Sequence, residues 1–367
     1  MLKLLSTLPF LLFALACVHH RSQKEIAIQG TIKDFPDGKL FLYKNFNARL
    51  PYDSTTIKNG NFKFTLKEDP SFYPFETFIT YYNDSIPGFI HEHEDFLGGY
   101  KNPYYNNYVM SSFYVDRGKT IISGQKSEHA VLTIAGTKQN EAFYKIGPSA
   151  FAIIRGLAGT KREAKLALYE NTIKKHPWSF YLLNRLWYSR EEYTEQELKG
   201  LLSAFNEEVS RSAVFKDFTS FFELKTSSGY LSNISLESAD GGKQSIFDPK
   251  AKINLVVFWS SGCVPCRKEI PDLKELYSKF KDKELSICSI SMDNNLKRWK
   301  AAMAKERMPW KQLIINDSIN KTIDLEYNIK LIPVSFFTDA KGKLIQRSGG
   351  QGDKIEYDRL LTKLLAQ

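Results

Sequence analysis

The stretch Trp259-Ser260-Ser261-Gly262-Cys263-Val264-Pro265-Cys266 holds two cysteines separated by two residues, and it directly follows the apolar run Ile253–Trp259. This order predicts a buried strand followed by a helix whose first turn carries both thiols. The unpaired N–H groups of a helix N-terminus favour negative charge, so they lower the pKa of a thiol there from about 8.5 towards ~3.5–7.5. Pro265 fits the first turn because its missing N–H costs nothing there. We therefore predict a redox pair in which Cys263 is the exposed nucleophile and Cys266, one turn deeper, resolves the mixed disulfide.

A zinc site and a structural disulfide are the two alternative roles for the pair. A structural zinc site takes four ligands, and no second Cys/His pair occurs at suitable spacing. A purely structural disulfide would close a loop of only two residues, which gains little entropy. His91-Glu92-His93 would place two histidines on one face of a strand, but no third ligand is identifiable. We therefore predict redox chemistry that needs neither a metal nor a cofactor.

The chain after the pair has the element pattern of an α/β domain. Arg267–Leu273 leads into helical apolar spacing, and Leu285–Ser291 is typical of a second strand. Ile332–Asp339 is predicted to be a strand opened by proline, and a Lys341-Gly342 turn leads from it to the strand Lys343–Arg347. The pattern predicts a mixed sheet, parallel at its centre and flanked by helices.

Trp259, the run Cys263-Val264-Pro265-Cys266-Arg267-Lys268-Glu269-Ile270-Pro271 and the pair Ile332-Pro333 together resemble the TlpA/ResA-like branch of the thioredoxin-fold oxidoreductases. The resemblance covers about residues 218–367 and implies a thioredoxin-like α/β domain there. One position departs from the family pattern. The family usually has an aromatic residue just before the first cysteine, and this chain has Gly262, which opens the site beside Cys263.

The resemblance also implies roles for individual residues. Pro333 is expected to follow a cis peptide bond and to face the disulfide, and Glu269 to line the active-site cavity. Glu269 could exchange protons with the thiols or tune them, and a surface carboxylate on an amphipathic helix is the alternative. We predict that Cys263, Cys266 and Glu269 are catalytic. We also predict that Trp259, Pro265, Ile332 and Pro333 contact the substrate, with Trp259 packed beneath the active-site turn.

The beginning of the chain is typical of an exported protein. Met1-Leu2-Lys3 precedes the apolar stretch Leu4–Ala16, which is too short to span a bilayer. Ala14-Leu15-Ala16-Cys17 resembles a lipoprotein signal-peptidase site. We predict a signal peptide over residues 1–16, a lipidated tether over residues 17–24, and a periplasm-facing lipoprotein of the cell envelope that is bound to the membrane through lipid on Cys17. An ordinary secreted protein with a stray cysteine is the alternative.

Charge and cysteine content narrow the class of protein further. The formal net charge is +10, but the basic residues are scattered among acids without a stripe or an arginine-rich arm, so nucleic acid is not expected as a partner. The chain has four cysteines, and Cys288 lies in an apolar strand pattern typical of a silent core thiol. The remaining cysteines are too few to form a framework of structural disulfides such as many exported proteins have. This indicates that Cys263 and Cys266 form a functional pair.

Two further regions precede the redox domain. Short alternating runs with turns at Asp37-Gly38 and Asn59-Gly60 predict an antiparallel β-domain over residues 25–135. It resembles the β-sandwich domain found before this thioredoxin branch in Bacteroidetes lipoproteins, which implies a β-sandwich here. Residues 138–217 have helical periodicity and are predicted to be a connector whose simplest role is a spacer. We place a hinge at residues 226–229 and the thioredoxin-like domain at residues 218–367.

These features predict an extracytoplasmic thiol-disulfide oxidoreductase that exchanges disulfides with protein partners. Val264-Pro265 resembles the reductive members of the family, which keep thiols reduced for processes such as cytochrome c maturation. A membrane thiol reductase is the expected electron donor. A thiol peroxidase is one alternative, for which Ser260 is present but Val256 occupies the expected proline position. A binding lipoprotein with a vestigial thioredoxin head is the other.

Overall fold

The computed structural model describes residues 25–44, 50–67, 71–83, 94–127, 130–226, 229–315, 320–329, 331–350 and 352–366. The predicted signal peptide, the tether with Cys17, the histidines 91 and 93 and part of the predicted hinge lie outside these residues. Within the described part, no helix is both long and apolar enough to cross a membrane.

The N-terminal region is built from two β-sheets. The strands are β1 (Ile26–Lys33), β2 (Gly38–Tyr43), β3 (Asp53–Ile57), β4 (Asn61–Leu66), β5 (Phe75–Tyr82), β6 (Glu94–Phe96), β7 (Gly99–Lys101), β8 (Val109–Met110), β9 (Phe113–Val115), β10 (Gly118–Gln125) and β11 (Val131–Gly136). One sheet has the order β4-β1-β10-β11-β7-β8, and the other has the order β3-β2-β5-β6 with β9 beside β5. Strand β4 shows why the sheets face each other, because Phe62, Phe64 and Leu66 alternate inwards with exposed polar residues.

The predicted antiparallel β-domain is present, but two of its strand pairs are parallel. β1 pairs in parallel with β10, and β11 pairs in parallel with β7. The chain between β1 and β10 passes through the second sheet, so no short hairpin sets their relative direction. The predicted turn at Asn59-Gly60 is present, with both residues at positive φ, but it leads from one sheet to the other.

The helical region follows directly. It contains α1 (Lys138–Ile146), α2 (Gly159–Lys175), α3 (Phe180–Ser189), a 3-10 turn (Arg190–Glu192), α4 (Glu195–Leu202), α5 (Glu207–Ser210) and α6 (Ala213–Thr226). Its apolar residues, such as Phe143, Leu186 and Phe218, belong to the same hydrophobic core as the β-sheets. The helical region is therefore packed into the β-domain, and it lies between that domain and the C-terminal region in the chain.

The C-terminal region has a seven-stranded sheet with helices on both faces. Its elements are β12 (Ser235–Ser238), β13 (Lys243–Ser245), β14 (Ile253–Trp259), α7 (Val264–Phe280), β15 (Leu285–Ser291), α8 (Leu296–Glu306), β16 (Lys311–Ile314), α9 (Asn320–Tyr327), β17 (Val334–Asp339), β18 (Leu344–Gly349) and α10 (Lys354–Leu365). The strand order is β13-β12-β16-β15-β14-β17-β18. β14, β15 and β16 are mutually parallel, and the outer strands are antiparallel, as the sequence predicts.

The seven residues of β14 are all buried, because each face of this strand is covered by a separate core. Val256 and Phe258 point to the side that α9 covers, and Leu255 and Val257 point to the side covered by α7 and α10. This thioredoxin-like arrangement brings the end of β14, and the loop after it, to the N-terminus of α7.

Candidate active site

The two cysteines of the motif form a disulfide at the N-terminus of α7. Cys263 is the N-cap residue of the helix and is half-buried, whereas Cys266 is 3% exposed. The backbone N–H of Cys266 lies 3.2 Å from the Cys263 sulfur and points to it. When the disulfide is reduced, this donor and the helix N-terminus favour the thiolate form of Cys263. The outer cysteine is therefore the accessible sulfur of the pair, and the inner cysteine lies buried behind it.

The loop between β14 and α7 is held by an aspartate that the sequence analysis did not identify. Asp293 accepts hydrogen bonds from the backbone N–H of Ser261 (2.8 Å) and from its hydroxyl (2.6 Å). The Ser291 hydroxyl also donates to Asp293 (2.7 Å). The available clue was the position of Asp293 just after β15, since the carboxyl ends of adjacent parallel strands share an edge of the sheet.

Glu269 lies on the inner side of α7 and is 2% exposed. The alternative of a surface carboxylate is therefore wrong. Its Oε1 accepts a hydrogen bond from the backbone N–H of Gly352 (3.2 Å), while Oε2 is buried without a hydrogen-bond partner among the described residues. Burial raises the pKa of Glu269 to about 7, and the nearby charge of Asp272 adds to this effect. A carboxyl with this pKa can take up or release a proton near neutral pH.

Gly352 and Tyr357 close the space around Glu269, and sequence reasoning missed both. A Cβ atom on Gly352 would lie 2.4 Å from the Tyr357 hydroxyl oxygen and 2.5 Å from Oε1 of Glu269, so a larger residue would displace both side chains. The Tyr357 hydroxyl is buried and makes no hydrogen bond of good geometry with any described residue. Burial raises its pKa, and the charge of Glu269 acts in the same direction. The run of glycines at 349, 350 and 352 was the available signal of a close backbone approach.

The other predicted site residues surround the pair. The Ile332-Pro333 peptide bond is cis, as the resemblance implied, and the Ile332 carbonyl oxygen lies 3.8 Å from the Cys263 sulfur. Pro265 is exposed in the first turn of α7. Trp259 packs in one cluster with both cysteines and is almost fully buried. It lies beneath the active-site turn, where its ring has no free face for a substrate, so we do not retain the predicted substrate contact of Trp259.

Gly262 leaves open space beside Cys263. A Cβ atom built on this residue would meet no other atom within 4 Å, and its φ lies outside the left-handed region that favours glycine. Neither packing nor backbone geometry therefore requires glycine here. Two apolar side chains next to site residues are exposed. Val264, which follows Cys263, is 63% exposed, and Leu331, which precedes Ile332, is 81% exposed.

The remaining cysteine of the C-terminal region is remote from this chemistry. Cys288 is a buried free thiol in β15, and burial raises its pKa to about 12. No cluster of three or more His, Cys, Asp or Glu side chains that could hold a metal occurs among the described residues.

Comparison with known proteins agrees with this geometry. A family model described as thioredoxin-like matches residues 251–344, and one described as a domain of unknown function matches residues 26–143. The thiol-disulfide oxidoreductase ResA of Bacillus thuringiensis subsp. konkukian is 30% identical over 134 residues, which are 36% of this chain and 75% of that protein. The chain belongs to the ResA-like thiol-disulfide oxidoreductase family.

Two other proteins are similar to about the same part of this chain. The thioredoxin-like protein YneN of Bacillus subtilis is 29% identical over 132 residues, which are 35% of this chain and 75% of that protein. The thioredoxin domain of a thiol-disulfide oxidoreductase from Bacteroides vulgatus is a similar solved structure, with 30% identity and a TM-score of 0.35. The matched region covers 38% of this chain and 98% of the Bacteroides vulgatus domain. The match to the ResA relative and to the thioredoxin-like family model identifies the protein as a thiol-disulfide oxidoreductase with a thioredoxin-like C-terminal region.

Proposed function

We propose that this oxidoreductase reduces disulfides of protein partners outside the cytoplasm, with Cys263 and Cys266 as its redox pair. The observation that carries the proposal is the asymmetry of the pair. Cys263 is accessible, caps a helix and faces an N–H donor, while Cys266 is buried behind it. An accessible thiolate can attack a large partner, and a buried thiol in reach of it can resolve the product.

The proposed reaction consists of two exchange steps. The Cys263 thiolate attacks one sulfur of the partner disulfide, which forms a mixed disulfide and releases the other partner sulfur as a thiolate that takes up a proton. The Cys266 thiol then loses its proton, and its sulfur attacks Cys263. This step forms the Cys263–Cys266 disulfide and releases the second partner thiolate. Two electrons pass from the enzyme to the partner, and a membrane thiol reductase returns the pair to the dithiol form.

Glu269 is the proposed proton acceptor for Cys266. It lies one helical turn after Cys266 on α7, and both side chains are buried. With a pKa of about 7, Glu269 is partly ionised at neutral pH and can accept the proton that Cys266 must lose. An ordinary surface carboxylate would be too weak a base for this role.

The reductive direction, the link to cytochrome c maturation and the cellular location rest on the sequence. Val264-Pro265 between the cysteines favours a reductant, and Cys17 after an apolar stretch favours a lipid-anchored protein that faces the periplasm. We propose that residues 1–16 are removed and that Cys17 is lipidated. Mass spectrometry of the mature N-terminus tests this, since an unmodified mature protein that starts elsewhere would contradict it.

We also retain the predicted domain order as a proposal: a β-sandwich at residues 25–135, a connector at 138–217 and a thioredoxin-like domain at 218–367. The cores support a coarser division into two units. One core runs from Ile26 to Phe218 and joins the sandwich to the connector, and the others run from Leu236 to Leu361.

The test of the catalytic assignment uses reduction of insulin by the full-length protein with dithiothreitol as electron donor. Cys263→Ser should abolish turnover, and Cys266→Ser should trap a mixed disulfide through Cys263. Cys288→Ser is the matched control and should retain full activity, because Cys288 is buried in another strand. If Cys263→Ser traps a partner through Cys266, or if that variant remains active, the roles are assigned wrongly.

A further inference from the structure

A buried arginine lies where the helical region meets the C-terminal unit. Arg190 follows α3 directly and is 1% exposed. Its guanidinium lies over the Trp187 ring, 3.9 Å from the ring centroid, and Nη1 donates a hydrogen bond to the Trp187 carbonyl oxygen (2.9 Å). A buried cation is costly unless an anion and further hydrogen-bond acceptors accompany it. Arg190 therefore requires a compensating group close by.

The compensating group belongs to the other unit. Nη2 of Arg190 donates to the backbone carbonyl oxygen of Asp324 on α9 (2.6 Å) and lies 3.4 Å from its Oδ1. The indole N–H of Trp187 donates to Oδ2 of the same aspartate (2.7 Å). We call Trp187, Arg190 and Asp324 the Asp324 clamp. Two residues of the helical region thus fix a single residue of α9 through both its side chain and its backbone.

A second connection lies beside the clamp. Nη2 of Arg347 on β18 donates to the carbonyl oxygen of Asn328, just after α9 (2.8 Å). Burial lowers the pKa of Arg347, and the negative charge of Glu191 acts against this effect. Glu191, the neighbour of Arg190, is therefore within electrostatic reach of Arg347. The helical region acts on α9 and also on the residue that anchors the segment after it.

The segment that follows α9 leads to the active site. α9 ends at Tyr327, and the chain reaches Ile332, whose carbonyl oxygen lies 3.8 Å from the Cys263 sulfur, within five residues. The C-terminal unit also holds α9 by itself, because Tyr327 is buried and its hydroxyl donates to the Ser232 carbonyl oxygen (2.9 Å). The end of α9 therefore has contacts of its own within the C-terminal unit, and the clamp fixes the turn that precedes Tyr327.

We infer that Trp187 and Arg190 are positioning residues for disulfide exchange, because through Asp324 they fix α9 and with it the Leu331–Pro333 segment beside Cys263. The inference rests on the proposed function, in which a protein partner is the substrate. A polypeptide must contact the surface around the sulfur, where Leu331 is exposed, whereas a small dithiol needs only the sulfur. Displacement of this segment should weaken the engagement of protein partners and leave the intrinsic reactivity of the pair unchanged.

The experiment compares three variants of the full-length protein. Asp324→Ala removes the anion and the side-chain acceptor of the clamp, and Trp187→Phe removes only the indole N–H. The matched control is Glu197→Gln, which weakens the ion pair of Glu197 with Arg162 (2.6 Å) inside the helical region, away from α9. For each variant, KM and kcat are measured for insulin reduction, together with the rate constant for reduction of the enzyme disulfide by dithiothreitol.

We expect the two clamp variants to change KM for insulin and to leave kcat and the dithiothreitol rate constant nearly unchanged. KM for insulin should rise about tenfold in Asp324→Ala and about threefold in Trp187→Phe, the size expected when a coupling contact is lost. The dithiothreitol rate constant and kcat should stay within about twofold of the wild-type values. The control should resemble the wild type in all three quantities. Unchanged KM in both clamp variants, or an equal rise in the control, overturns the inference.

Hydrogen exchange provides a readout that does not depend on activity. In Asp324→Ala, the amides of Leu331 and Ile332 should exchange faster, while those of β14 and β15 stay unchanged. Uniformly faster exchange, or no change at Leu331 and Ile332, means that the clamp has only a structural role and overturns the inference. If the wild type reduces no protein disulfide, the proposed function fails, and the exchange data still decide whether the clamp positions the segment.

Discussion

Replacement of Glu269 by glutamine tests the electrostatics of the active site through protein stability. The pKa of Glu269 is about 7 in the folded protein, against an ordinary value of 4.5. Between these values the folded protein binds more protons than the unfolded chain, so ionisation of Glu269 destabilises the fold as the pH rises through this window. At 1.36 kcal/mol per pH unit, the penalty is roughly 3 kcal/mol once the pH exceeds 7.

Glutamine cannot ionise, so Glu269→Gln should escape this penalty. Its carbonyl oxygen can still accept the hydrogen bond from Gly352. Relative to the wild type, the variant should gain roughly 3 kcal/mol in the free energy of unfolding between about pH 4.5 and pH 8. Any packing cost of the amide is independent of pH and shifts the whole curve. The slope of the difference against pH therefore isolates the ionisation of Glu269.

The assay is urea unfolding of the oxidised protein, followed by near-ultraviolet circular dichroism at four pH values in this window. Glu197→Gln is a useful comparison, because Arg162 lowers the pKa of Glu197 to about 2. The contribution of Glu197 is present above its ordinary pKa of 4.5 and is lost as the pH falls through 2, so its variant should give a nearly flat difference across the same window. A flat difference for Glu269→Gln would refute the raised pKa and, with it, the proposed proton transfer.

Three further predictions concern the surroundings of the pair. Asp293→Ala should lower the rate of partner reduction by about tenfold through loss of the hydrogen bonds to Ser261, with a smaller loss in Asp293→Asn, measured as kcat/KM for insulin. Gly262→Trp should leave the melting temperature within about 2 °C, because its Cβ meets open space, but should lower kcat/KM for a folded protein disulfide more than for dithiothreitol; equal effects on both substrates would contradict this. In the reduced protein, iodoacetamide at mildly acidic pH should label Cys263 first and leave Cys288 unlabelled until the protein unfolds. Mass spectrometry of tryptic peptides measures the labelling of each cysteine. Early labelling of Cys288 would contradict its burial.

Much of the C-terminal fold could be predicted because its signals are local. The largely apolar run Ile253–Trp259 predicted the bounds of β14, and Leu285–Ser291 predicted those of β15. The CxxC spacing placed both cysteines at the start of α7, where the structure has them. Each of these features depends on residues that are close together in the sequence, so one stretch contains the whole signal.

The errors have a common physical origin in contacts between distant residues. The parallel pairing of β1 with β10 joins strands that are far apart in the chain, and no turn signals its direction. The burial of Glu269 depends on Gly352 and Tyr357, which arrive with α10. The packing of the helical region into the β-domain could not be predicted either, because amphipathic periodicity does not reveal what an apolar side covers.

The buried position of Arg190 also has a consequence for the order in which the chain folds. Its counter-charge, Asp324, lies 134 residues later in the sequence. A chain that crosses a membrane or leaves the ribosome N-terminus first presents the helical region well before α9 exists. Until then Arg190 keeps its hydration, because an unpaired charge resists removal from water. The last step of folding for the N-terminal half therefore waits for the synthesis of the C-terminal half, and a prematurely terminated chain exposes an unfinished surface at this point.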